Sequence, residues 1–165
     1  MPADTPPTAP AATGPGGADR VRPAAAEDLD ALVAYEIEIA RISFGDEAVT
    51  DPALHRKRIT GSLGKPDEVT LVADRNDAVV GWVWLSGRTN SLTGDRYGNL
   101  RSLATSDGPD RGAVAEALLD AALDAARDRG VSEVVGKVHM RNVAMRAVYA
   151  KLGFAAEHLS MRKAL

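Results

Sequence analysis

The sequence predicts an α/β fold, a mixed sheet with helices on both faces. Three observations predict it. Short apolar runs bounded by turn residues recur at 68–74, 78–87 and 97–105, the pattern of antiparallel strands. A long Ala/Leu-rich helix, a buried-type strand over 131–138 and a further helix then make a β-α-β unit. The stretch 142–154 reads as an amphipathic helix, with Met145, Val148, Tyr149 and Leu152 at i, i+3, i+4, i+7. The order is β-α-α-β-β-β-α-β-α-β, with no internal repeat.

Residues 1–19 are rich in Pro, Ala, Gly and Thr and carry almost nothing large and apolar. Such a segment buries too little surface to offset its ordering entropy, so a disordered tail is expected. One domain is expected over 20–165. A short strand at 20–23 stops at Pro23. A helix follows over 26–42, with Glu27 and Asp28 near its start, where acids suit the dipole. Asp51-Pro52 reads as an N-cap and first-turn proline, opening a second helix to about Ser62. Arg75-Asn76-Asp77 reads as a hairpin turn. In its second strand Trp82 and Trp84 share one face by period 2. Residues 88–96 form a polar loop. The turn residues 106–110 lead into the helix 111–129, which Gly130 ends. Asn142 is placed to cap the next helix, and Gly153 sits where a left-handed residue ends one. A last strand is expected over 154–161.

Composition narrows the function. The chain has 165 residues, enough for one sizeable core, and its formal net charge of −3 suggests no bulk polyanion partner such as nucleic acid. With no cysteine, thiolate nucleophiles, disulfides and Cys-ligated zinc are excluded. The three histidines (His55, His139, His158) lack metal-ligand spacing, so no metal is expected. No apolar run is long enough to span a bilayer and no signal peptide is read, so a cytoplasmic location without membrane is expected.

Two places offer chemistry. A strand feeding the turn 106–110 and the start of the helix at 111 presents free N–H groups and a positive helix end. Gly112, Ala113 and Ala115 are small enough to let a ligand approach the backbone. The segment reads either as a phosphate site or as an ordinary capped core helix. Tyr149 is the other place. Its phenol is either a proton donor or an amphipathic core residue with a surface hydroxyl.

Asn142, Tyr149 seven places on and Leu152-Gly153-Phe154 together resemble the GNAT superfamily of acyl-CoA-dependent N-acetyltransferases. The opening Val21-Arg22-Pro23, then Glu27-Asp28-Leu29, and Val80-Gly81-Trp82-Val83 in the hairpin are also similar to it. The resemblance covers about residues 20–163. It implies a centrally splayed sheet whose strand around Leu103 to Thr105 binds acetyl-CoA, a co-substrate, by backbone bonds. A bulge there would aim an N–H at the thioester carbonyl. It implies that Asp110, Arg111, Gly112, Ala113, Val114 and Ala115 meet the pyrophosphate and that Asn142 lies beside the pantetheine arm. Tyr149 would protonate the leaving thiolate, while the primary amine of a small molecule or peptide attacks directly.

The phosphate loop departs from the family's Gln/Arg-x-x-Gly-x-Gly/Ala. Anchored on Leu118-Leu119, Asp110 stands where a cation is usual and Ala113 where Gly is usual. Asp110 would repel a diphosphate or occupy the helix N–H groups as an N-cap, so weaker coenzyme binding or a shifted loop is expected. That departure leaves open a catalytically reduced binding module, or transfer of a different acyl group. Glu36 and Glu38 are read first as solvated helix residues, with a role as base the alternative. Arg88 is read as able to meet an anionic substrate, and Arg141 and Arg146 as flanking the coenzyme. A homodimer through the last strands or the Trp82 hairpin is drawn from fold-level analogy.

Overall fold

The computed structural model describes residues 19–165. The expected disordered tail lies outside the described residues except for Asp19, whose carboxylate receives Arg75 Nε at 2.5 Å. The described residues form five strands and four α-helices: β1 (Arg20–Pro23), α1 (Leu29–Phe44), α2 (Pro52–Thr60), β2 (Glu68–Arg75), β3 (Ala78–Thr89), β4 (Arg96–Thr105), α3 (Arg111–Asp128), β5 (Glu133–Gly136) and α4 (Val143–Lys151). The strands lie in sequence order across one sheet. Neighbours are antiparallel except β4 and β5, which are parallel, so the sheet is mixed.

Local chemistry sets these elements. Asp51 caps α2 by accepting from the Ala53 N–H at 2.9 Å. Asn76 and Asp77 turn the β2–β3 hairpin with φ of 51° and 63°, which these residue types tolerate. Two cores flank the sheet. Leu32, Val33, Ile59, Val72, Trp82 and Trp84 pack between α1, α2 and one face. Val83, Leu85, Leu103, Val114, Leu118, Leu119 and Ala122 pack between α3 and the other, with Met145, Val148 and Tyr149 of α4 against them.

At the sheet's first edge, Arg22 grips Asp28 with two bonds of 2.8 and 2.9 Å and reaches Asp74 at 3.0 Å. Asp28 also accepts from the Ala25 N–H at 2.8 Å, which fixes the entry to α1. The Arg22 guanidinium holds the Asp28 carboxyl below the usual carboxylate range, against the opposing effect of burial. A lowered folded pKa gives stability above the unfolded value that is lost as pH falls through the folded one. Asp28→Asn is expected to cost about 2–3 kcal/mol at neutral pH, measured by urea denaturation. The gap to the parent should close as acid protonates Asp28.

Two expectations change. No strand forms over residues 154–161. Phe154 stacks on Tyr149 with centroids 4.9 Å apart and its N–H closes α4 on the Tyr149 carbonyl at 3.0 Å. Beyond it, Ala155-Ala156-Glu157-His158 is exposed and offers small or charged side chains, and Leu159 and Met161 stay exposed at 82% and 86%. Nothing there pins the segment to the outer edge of β5. Strand β5 is also shorter than 131–138, because Val131 is used earlier, bonding Ala126 O at 3.1 Å to end α3.

The splay between β4 and β5 is present. Their pairing runs only from Tyr97↔Glu133 to Leu100↔Gly136. Past Leu100, β4 continues five residues along β3 while its other edge is open. The bulge sits earlier than expected. The β3–β4 register skips Arg101, between Trp84↔Ser102 and Leu85↔Leu100, so the extra residue is Arg101 rather than one of 103–105.

Candidate active site

The open edge of β4 has a defined polarity. Ser106 donates its N–H to Val80 O on β3 at 2.8 Å. Inward and outward residues alternate along an antiparallel ladder. Ala104 and Ser102 therefore also face β3, while Leu103 and Thr105 turn their N–H and C=O groups to the open edge. The Leu103 side chain is buried against α3, so only its backbone is free for a ligand.

Tyr149 stands where the two strands part. A Cβ placed on Gly136, the last residue of β5, would lie 3.0 Å from the Tyr149 ring and 3.2 Å from its hydroxyl. Glycine is required there for the phenol to approach the strand end this closely. Phe154 covers the ring's other side. Burial pushes the phenol up to about 12, so it carries its proton throughout the neutral range.

Asn142 caps α4, its Oδ1 accepting from the Met145 N–H at 3.1 Å. Its side-chain NH₂ remains as the group able to donate toward a ligand. Gly153 takes the left-handed conformation with φ of 82°.

The start of α3 resolves the question raised by Asp110. Its carboxylate makes no cap bond and instead receives Arg75 Nη2 from the β2–β3 hairpin. Asp19 holds the same guanidinium at 2.5 and 2.7 Å. The charge is thus drawn away from the helix N–H groups and offset. The Arg111 N–H goes to Gly108 O at 3.3 Å and the Val114 N–H to Asp110 O at 3.0 Å. Those of Gly112 and Ala113 have no partner among the described residues, and a Cβ on Gly112 would meet nothing within 4 Å. This open end of an 18-residue helix suits a phosphate. Val114 and Ala115 have buried side chains and the Val114 N–H is already bonded, so the open donors at this end are those of Gly112 and Ala113. Arg111 pairs with Asp107 at 3.3 Å.

One residue lies differently from the first expectation. Glu38 is exposed, but Glu36 is only 6% exposed and its Oε1 has no hydrogen-bond partner. Burial raises its carboxyl above the usual range, with Ser102 on β4, Arg58 and His55 on α2, and Arg101 each offsetting part of that rise. The signal was in the spacing, since Glu36 falls four after Leu32 and three after Val33, on the apolar stripe. Arg88 faces Glu68 at 3.6 Å and Arg96 binds Asp67 at 2.7 Å, so both are engaged. Arg141 lines a cavity of about 640 Å³ with Arg41, Phe44, His139 and Arg162, while Arg146 reaches back to Met140 O at 3.4 Å. Among the described residues no cluster of three or more metal-ligating side chains occurs, and no helix is long and apolar enough to cross a membrane.

No curated protein matches the chain. Solved structures do. One described as a probable acetyltransferase is 24% identical with a TM-score of 0.70, covering 88% of this chain and 96% of its own. A transcriptional regulator from Bacillus halodurans C-125 is 18% identical at 0.72, covering 88% and 98%. A ribosomal-protein-alanine N-acetyltransferase from Brucella melitensis biovar Abortus 2308 is 18% identical at 0.64, covering 88% and 98%. At these identities the likeness is one of fold. The profile of the Acetyltransferase (GNAT) family matches residues 30–154, which span the splayed strands, the open helix start and Tyr149. The chain belongs to the GNAT family of acetyltransferases.

Proposed function

We propose that residues 20–165 act as one cytoplasmic acyltransferase domain. It moves an acetyl group from acetyl-CoA to a primary amine of a small molecule or peptide. The observation that carries this is the meeting of Tyr149 with the point where β4 and β5 part, from which the open edge of β4 runs on through Leu103 and Thr105.

The coenzyme supplies an activated thioester, and the rest falls to this chain. Gly112 and Ala113 donate N–H groups to the diphosphate, with the helix dipole behind them. Asn142 lies beside the pantetheine arm. An outward N–H of β4 polarises the thioester carbonyl, where negative charge develops. The amine nitrogen bonds the carbonyl carbon as the carbon–sulfur bond breaks. Glu36 takes the amine's proton, directly or through water, since a raised carboxyl is a better base near neutral pH. Tyr149 gives its proton to the thiolate. The apolar surroundings that raise the phenol raise the thiolate's basicity as well, keeping the two matched.

Calorimetry with acetyl-CoA, followed by thiol release over a panel of amines, tests the proposal. Saturable binding and amine-dependent release are expected. No binding at millimolar coenzyme would sink it.

Arg75 has a place in this scheme. Arg75→Gln frees Asp110 to fall back on the helix start. The dissociation constant for acetyl-CoA is expected to rise about fivefold, the scale of one charge at a helix terminus. The double variant with Asp110→Asn should recover parental affinity in the same titration.

A further inference from the structure

On the α2 side of the sheet, Lys57, Arg58, Trp84, Arg101 and Glu68 line a shallow cavity of about 400 Å³. The two guanidinium groups lie over the Trp84 ring, Arg101 at 4.6 Å and Arg58 at 5.9 Å from its centroid. Trp84 is itself 4% exposed, so the ring is a fixed floor rather than a mobile surface group. Glu68 is the one carboxylate lining the cavity, and it is committed. Its Oε2 accepts from Trp84 Nε1 at 2.7 Å and from Ser86 Oγ at 2.5 Å, and its Oε1 faces Arg88. The side chains of Arg58, Arg101 and Lys57 have no carboxylate or hydrogen-bond partner among the described residues.

The cavity borders the reacting strand. Arg101 is the bulged residue of β4, and the bulge turns it onto the same face as Ser102 and Trp84. Glu36 lies behind the cavity rather than in its lining; its Oε1 is buried without a hydrogen-bond partner, and Arg58 and Arg101 both act electrostatically on it. Cations without a carboxylate partner and a buried carboxylate thus act on one another on the α1–α2 side of the sheet.

We propose that the acceptor is an amine that also carries a carboxylate, seated with its carboxylate on Arg58 and Arg101 over Trp84 and its amine toward Glu36. This rests on the acetyl-transfer reading above. A guanidinium fork matches a carboxylate in a bidentate manner. Glu36 and Glu68 disfavour a doubly charged phosphate, whereas an amino carboxylate meets each charge with its opposite.

The test uses ω-amino carboxylic acids of increasing chain length and their carboxamides. The chain has two tryptophans and Trp82 is fully buried, so the Trp84 indole resonance reports on the cavity. In titrations of the full chain, the acids are expected to move that resonance saturably and the carboxamides are not. Arg58→Gln and Arg101→Gln should each weaken the acids about tenfold, the loss of one charge-assisted bond. In turnover each should raise KM for the acids by a similar factor, so that the preference for acids over carboxamides in kcat/KM falls about tenfold. Equal binding and turnover of acids and carboxamides overturns the proposal and leaves acetyl transfer standing. Binding of the acids at Trp84 with no thiol release from any amine supports the carboxylate site and overturns acetyl transfer.

Discussion

Tyr149→Phe is expected to lower kcat about 100-fold while acetyl-CoA affinity stays within about twofold, the signature of an interaction made only in the transition state. The ring keeps its stacking on Phe154 and its contact with Gly136 because phenylalanine has the same shape without the hydroxyl. Stability should therefore change little, which separates a chemical from a structural role. Loss is expected across the neutral range, since burial keeps the parental phenol protonated up to about pH 12. A weakly basic leaving thiol in an acyl-donor analogue should rescue much of the rate, because it leaves without a proton. A variant with parental kcat would remove Tyr149 from the chemistry.

Glu36→Gln is the second large effect, and it acts in two directions. Turnover should fall about 100-fold through loss of the base. Stability should rise by about 1–2 kcal/mol at neutral pH, because burying an amide costs less than burying an ionised carboxylate. The sign follows from linkage. A carboxyl whose folded pKa is raised gives stability below its unfolded value, and that stability is lost as pH rises through the folded one. The stability gap between variant and parent should therefore be small in acid and widen upward from the ordinary carboxylate range. Parental kcat should show its acid limb above that range too. Denaturation curves and pH–rate profiles of the same two proteins check both.

The stretch 142–154 was legible because its determinants are local. The cap at Asn142, the apolar spacing of Met145, Val148, Tyr149 and Leu152, and the left-handed Gly153 all act within three turns. The order of elements through α4 was legible for the same reason. The bulge at Arg101 was not, because it exists only in the register between β3 and β4. Nor was the fate of Asp110, which depends on an arginine 35 residues earlier in another element. The strand expected over 154–161 failed because strand formation needs a row of side chains to bury, and that segment finds none. Glu36 was half legible. Its helical position marked the buried face, but its charge argued for solvent.

The phosphate loop's departure puts the proposed coenzyme grip in question, and the features that bear on it are the Arg75–Asp110 contact and the open N–H groups of Gly112 and Ala113. The most direct test follows backbone amide resonances of the full chain as acetyl-CoA is added. Saturable shifts at Gly112, Ala113, Leu103, Thr105 and Gly136 are expected. Silence at those amides at millimolar coenzyme, or shifts confined to the face under α1 and α2, would contradict a coenzyme site in the β4–β5 cleft.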